Sequence, residues 1–117
     1  EGKWNSDGYK ALAGGIVRDA MREYINALFL LKIFVKRDSQ KVREARHSKQ
    51  SVERFFRSEW FEELTDLQGE DLPKKLKKSV DQRWKEILQE YRETGKFPKD
   101  VPSIISRNRK EMENELQ

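Results

Sequence analysis

Ala27-Leu28-Phe29-Leu30-Leu31-Lys32-Ile33-Phe34-Val35 is the one dense apolar run in a chain that is otherwise heavily charged. Read as helix, with about 3.6 residues per turn, it continues three stripes. One is Val17, Met21, Tyr24, Leu28, Leu31 and Val35. A second is Ile16, Ala20, Ala27, Leu30 and Phe34, broken at Glu23. The third is Ile25, Phe29 and Ile33. Upstream of residue 25 only one side is apolar, and Arg18, Asp19, Arg22 and Glu23 are left for solvent. Downstream, apolar residues occupy most of the circumference, the pattern of a segment buried on every side. A strand fits poorly, because the run shows no alternation and the helical period continues upstream. A membrane span needs about 20 apolar residues, and Lys32 interrupts a run shorter than that. The run is therefore expected to be bundle core, with the third stripe, Ile25, Phe29 and Ile33, as the candidate contact with a partner or a second copy.

The remainder of the 117 residues agrees with a helical domain. Hydrophobic residues make up 35% and charged residues 39%, so the core is modest and one apolar stripe per helix suffices to build it. Three Trp and six Phe argue against a disordered chain, which would be poor in aromatics. With no cysteine, disulfides, thiolate metal sites and a Cys nucleophile are excluded, as befits a reducing compartment. No secretory leader is expected, since the first apolar segment follows no basic run.

Helix boundaries follow from capping residues and stops. Residues 1–8 read as a flexible N-terminus, with Trp4 able to fold back on the bundle and Ser6 or Asp7 as a cap. The first helix passes through Gly14-Gly15, a weak point in its interior, and is expected to end near Arg37. Asp38 or Ser39 then caps a second helix to about Arg57, with Val42, Ala45, Val52 and Phe56 inward and Lys49 standing where an apolar residue would continue the stripe. Ser58 caps a short third helix to about Thr65. Phe55, Phe56, Trp60, Phe61 and Leu64 should form an aromatic corner locking these helices to the first. Asp66 to Gly69 reads as a turn. A fourth helix begins near Glu70 or Asp71, tolerates Pro73 in its first turn, and carries Leu72, Leu76, Val80, Trp84, Ile87 and Tyr91 to a stop at Thr94-Gly95. Residues 96–102 read as a linker. A last helix, from about Pro102 to Leu116, shows Ile105, Met112 and Leu116 with Arg109 interrupting, and is expected to pack loosely or on a partner. The fold expected is all-α: a single small bundle of four to five helices around a long N-terminal helix, with a core domain at 9–95 and a linker and C-terminal helix extension at 96–117.

The chain offers little chemistry. His47 is the only histidine, so neither a His-paired nucleophile nor a His-rich metal site can be built, and it reads as a surface residue. Glu59, Glu62, Glu63 and Asp66 share a helical face, but without the spacing of a metal or acid–base motif; they read as solvated. Gly14-Gly15 lacks the spacing and the Lys-Ser/Thr of a phosphate loop. No enzyme, metal or cofactor is expected.

Charge order is more informative. The net charge is +4. Lys36 to Arg57 holds eight Lys/Arg against three acids, Ser58 to Leu72 holds six acids and no base, and Lys74-Lys75-Leu76-Lys77-Lys78 is basic again. Lys41, Arg43, Arg46, Lys49 and Arg54 are the candidate phosphate-tracking face, whose binding would be salt-dependent through counterion release. Base stacking would need exposed aromatics beside it, and those nearby read as core. The acidic stretch could instead mimic phosphates against a basic partner protein.

Glu53-Arg54-Phe55-Phe56-Arg57-Ser58-Glu59-Trp60-Phe61, followed by Leu64-Thr65-Asp66-Leu67 and Gly69-Glu70, resembles a group of small uncharacterised proteins encoded in phages and integrative elements of Gram-positive bacteria. Tyr9, Leu12, Ala13, Ile16 and Val17 match the start of that pattern, and the resemblance covers about residues 7–80. Gly8 and Gln68 depart from it, and residues 81–117 look like an extension. The resemblance implies an accessory protein of a mobile element in the bacterial cytoplasm and brings no active site. The expected function is a non-enzymatic binding protein that docks its basic second-helix face on nucleic acid or on a nucleic-acid-handling complex, away from the membrane. The alternative is a protein-interaction module, either an inhibitor of a host protein or a self-associating homo-oligomer.

Overall fold

A computed structural model describes residues 6–34 and 39–116. Its spine is α1 (Ser6–Ile33), followed by α2 (Gln40–Phe56), α3 (Glu59–Leu64), α4 (Leu72–Thr94), α5 (Ser103–Arg107) and α6 (Arg109–Leu116). There is no strand among the described residues. The fold is all-α, and each of the helices α2 to α6 makes contact with α1. At about 1.5 Å per residue, a helix of 28 residues is long enough to set the molecule's long axis. The extents are 59 × 29 × 22 Å and the radius of gyration is 17.0 Å, against about 13 Å for a compact chain of this length.

α1 runs unbroken through Gly14-Gly15 and ends at Ile33, with the Phe34 N–H still bonded to the Leu30 carbonyl at 3.0 Å. The expected end near Arg37 cannot be compared, because Val35, Lys36, Arg37 and Asp38 lie outside the described residues, as does Trp4. The C-terminal half of α1 is enclosed. Tyr24, Phe29 and Ile33 are each at most 2% exposed, and Ala27, Leu28 and Phe34 are buried with them.

This enclosure corrects one expectation. Ile25, Phe29 and Ile33 do not form a partner-binding face. Phe29 and Ile33 are buried within the chain's own core, Phe29 lies 6.4 Å from the Trp84 ring of α4, and half-buried Ile25 packs against the same cluster. Burial of such side chains is worth roughly 1.5–3 kcal/mol each. The fold therefore buries the third stripe in its own core, with Trp84 of α4 against it.

Local signals account for the other helix ends. Ser39 Oγ accepts the Val42 N–H at 3.4 Å and starts α2, while Ser58 Oγ accepts the Phe61 N–H at 3.1 Å and starts α3. Pro73 sits in the first turn of α4, and Gly95 closes that helix in the left-handed region at φ 77°, where glycine carries no Cβ penalty. The segment at 96–102 is tied down: Phe97 stacks on Tyr91 at 4.5 Å, and Arg83 meets Asp100 at 3.1 Å.

The single last helix expected from Pro102 to Leu116 is two. Asn108 breaks it, with φ −116° and ψ 26°. Its Nδ2 donates to the Ile104 carbonyl at 2.8 Å and its backbone N–H to Ile105 at 3.1 Å. This is the competition with helix hydrogen bonding to which Asn is prone. The break folds α5 and α6 onto α1, burying Ile104, Ile105 and Met112, so the segment packs firmly rather than loosely.

The aromatic corner forms around Phe56 and Phe61, both buried, with ring centroids 5.4 Å apart and Tyr24 at 5.7 Å from Phe56. Trp60 is the exception. It is 55% exposed and meets the corner at the Phe55 ring, edge to face with centroids 5.5 Å apart. A six-residue helix has a single inward side, which Phe61 and Leu64 occupy. Trp60, one residue earlier and so about 100° round the helix, is left on the flank.

Candidate nucleic-acid interface

α2 lies along α1 with Val42, Ala45, Val52 and Phe56 buried. That inward stripe fixes where every charged side chain of the helix points. Arg43, Arg46, Arg54 and Arg57 are all exposed. With Gln50 between them they follow one another at three- and four-residue spacing, so they share one outward face of the helix. His47 is exposed beside them.

Two of the five candidate residues stand apart. Lys41 is exposed on the opposite flank of α2, with its ammonium 5.3 Å from the centroid of the Phe34 ring, a cation–π contact. Lys49 sits in the buried stripe, half-buried, and pairs with Glu53 at 3.2 Å. The structure thus brings together Arg43, Arg46 and Arg54, and adds Arg57, which the sequence reading placed among the basic residues of this helix but outside the candidate face. The signal for Arg57 was its place three residues after Arg54.

Glu53 is the hinge of the local electrostatics. Tyr24, buried in α1, donates its hydroxyl to Glu53 Oε2 at 2.6 Å, and Lys77 of α4 approaches the same oxygen at 3.7 Å. One carboxylate therefore ties α1, α2 and α4 together. Burial alone would raise the Glu53 pKa, but the Tyr24 hydrogen bond and the Lys49 and Lys77 charges outweigh it and hold the carboxyl below its ordinary range. Burial, and then the hydrogen bond and charge of Glu53, push the Tyr24 hydroxyl well above its ordinary value. At the start of α4, Lys74, Lys75, Lys77 and Lys78 are exposed, and Lys77 reaches toward Glu53 of α2. No sequence signal pairs residue 53 with residue 24 or 77.

The acidic residues Glu59, Glu62, Glu63 and Asp66 are exposed on α3 and the turn after it. Among the described residues no group of three or more His, Cys, Asp or Glu is placed to hold a metal ion, and no helix is long and apolar enough to cross a membrane. Trp60 is exposed, but it lies on the side of α2 that carries Ser51 and Phe55, away from the arginines. It offers no stacking platform next to them. The chain matches no family model, no curated protein and no solved structure.

Proposed function

We propose that the chain is a non-enzymatic binding protein that docks the arginine face of α2, extended by the lysines of α4, on the phosphates of a nucleic acid or of a nucleic-acid-handling complex. The observation that carries this reading is the alignment of Arg43, Arg46, Arg54 and Arg57 on one exposed helix face, with Lys77 of α4 approaching Glu53 of the same helix at 3.7 Å. Four guanidiniums spaced along about 21 Å of helix suit a run of phosphates, which guanidinium groups bind in bidentate fashion. Contact of this kind carries affinity and little sequence information. The resemblance to accessory proteins of phages and integrative elements points the same way and assigns the work to the bacterial cytoplasm.

Fluorescence anisotropy against labelled duplex DNA, single-stranded DNA and RNA tests the reading. Affinity should fall steeply with salt, by about 0.9 log unit per log unit of salt for each phosphate neutralised on duplex DNA. The Arg46→Glu/Arg54→Glu double variant should bind much more weakly with an unchanged far-ultraviolet circular dichroism spectrum. Equal affinity for the variant, or no binding to any of the three at low salt, would discard the assignment.

A further inference from the structure

The outer side of α2 is one continuous surface of a single sign. Among the described residues the helix touches α1, α3 and α4 only. Its exposed side chains Arg43, Arg46, His47, Gln50 and Arg54 fall within about a third of the helix circumference. No acid lies inside that arc. Glu44, the one exposed acid of α2, stands beyond its edge, where Gln40 donates to Glu44 Oε1 at 2.9 Å. Glu53, beyond the other edge, is half-buried and already held by Tyr24, Lys49 and Lys77. Past the arc, Glu62, Asp66 and Glu70 share a crevice with Arg57, so the positive surface ends with the helix.

We propose that α2 seats in the major groove of B-form duplex DNA and reads base edges there, with Gln50 at the centre of the contact. The inference rests on the reading of the arginine face as a phosphate-binding surface, and it names the nucleic acid and adds sequence discrimination. Shape selects the duplex. A helix with its side chains is about 10–12 Å across, and the major groove of B-form DNA is about 12 Å wide and admits one. In A-form RNA the corresponding groove is too deep and narrow to be read by side chains. No Phe, Tyr or Trp is exposed on α2, so the unpaired bases of a single strand find no aromatic platform there. The side chains suit base edges as well as phosphates. Arg43, His47, Gln50 and Arg54 follow one another at spacings of four, three and four residues. They span about 16 Å of helix, the rise of about five base pairs. Among the described residues no other side chain engages Gln50. Its amide offers one donor and one acceptor side by side, the match for adenine N6 and N7, and the guanidiniums before and after it match guanine O6 and N7. Arg46, at the edge of the arc, is left to the phosphates, which set register while the base contacts specify.

The test is selection of bound sequences from a randomised DNA duplex pool by the full chain, followed by anisotropy on the selected duplex. Selection should return a motif of about five base pairs. At one salt concentration the selected duplex should bind about tenfold or more tightly than a scrambled duplex, the discrimination of one bidentate base contact. The same margin should separate it from the same sequence as single-stranded DNA or as duplex RNA. Gln50→Ala, at an exposed helix position, should lower the ratio of selected to scrambled affinity about tenfold, a readout that a loss of general phosphate contact would not move. Methylation of guanine N7, which faces the major groove, should block binding, and a ligand that fills the minor groove should not compete. Equal affinity for selected and scrambled duplexes, or for duplex DNA, single strand and RNA, overturns this inference and leaves the phosphate-binding reading standing. So does competition by the minor-groove ligand with no effect of N7 methylation, or an unchanged ratio in Gln50→Ala. Failure to bind any of the nucleic acids at low salt overturns both.

Discussion

Gly69 and Gly14 show how differently one residue type can be constrained. A Cβ on Gly69 would sit 1.9 Å from the Phe56 carbonyl oxygen and 3.3 Å from the Phe61 ring, so the turn between α3 and α4 closes only because nothing is there. Gly69→Ala must push the turn off the aromatic corner and should cost about 2 kcal/mol or more, as overpacking does. At Gly14 a Cβ meets only the end of the Arg18 side chain at 3.9 Å. Gly14→Ala should stabilise the chain by up to about 1 kcal/mol through helix propensity. Urea unfolding of both variants checks the opposite signs. Tyr24 and Glu53 make a second pair of predictions at this scale. The Glu53 carboxyl is held below its ordinary value of 4.5, so its contribution is present above that pH and is lost as pH falls through the lowered folded value. The Tyr24 hydroxyl is held above its ordinary 10.0, so its contribution is present below that pH and is lost as pH rises beyond it. Tyr24→Phe should cost about 1–3 kcal/mol at neutral pH and flatten both limbs of the stability–pH curve. Unaltered limbs would mean that the hydrogen bond does not form in solution.

The helices differ in what holds their ends. Among the described residues, Ser39 Oγ accepts one N–H, at 3.4 Å. Ser58 Oγ both accepts the Phe61 N–H at 3.1 Å and donates to the Phe55 carbonyl at 2.6 Å, fastening the start of α3 to the end of α2. Ser58→Ala should therefore lower the urea midpoint more than Ser39→Ala, with costs toward the upper and lower ends of the roughly 0.5–2 kcal/mol that caps are worth. Equal effects would show that the second hydrogen bond adds nothing. Both caps were legible in the sequence, because capping depends on residues within one turn of each other. The break at Asn108 was not: Asn is tolerated on helix surfaces, and only the packing of both Ile105 and Met112 on α1 requires the chain to turn there.

For the whole molecule, the question is where the core ends. Ile105 and Met112 are each at most 2% exposed, and both C-terminal helices pack on α1. Ile105→Ala should cost about 2–5 kcal/mol, the range for a large-to-small change in a core. Removal of residues 96–117 should expose apolar surface on α1, seen as a lower urea midpoint together with dye binding or association on a sizing column. A truncated chain that stays monomeric and unfolds at the original midpoint would show that these helices lie outside the core.

The candidate interface was half legible. The positive charge of α2 and the acidic stretch after it are plain in the order of residues. The division of that charge is not. Lys49 was read at a position in the apolar stripe; the carboxylate that meets it, Glu53, stands four residues on in the same helix, but the tyrosine that holds that carboxylate comes from 29 positions away, a pairing the sequence does not show. Trp60 was read as core because it stands among aromatics, but a short helix has room inside for only one side. What the sequence by itself determined is the all-α class, the period of each long helix and most of the caps, since these rest on interactions between residues three or four apart. What only the tertiary structure decided is which apolar stripes are covered by the chain itself, which cations share a face and which side of α2 is left uncovered. These depend on how helices lie against one another, and residues distant in sequence set that through shape and charge.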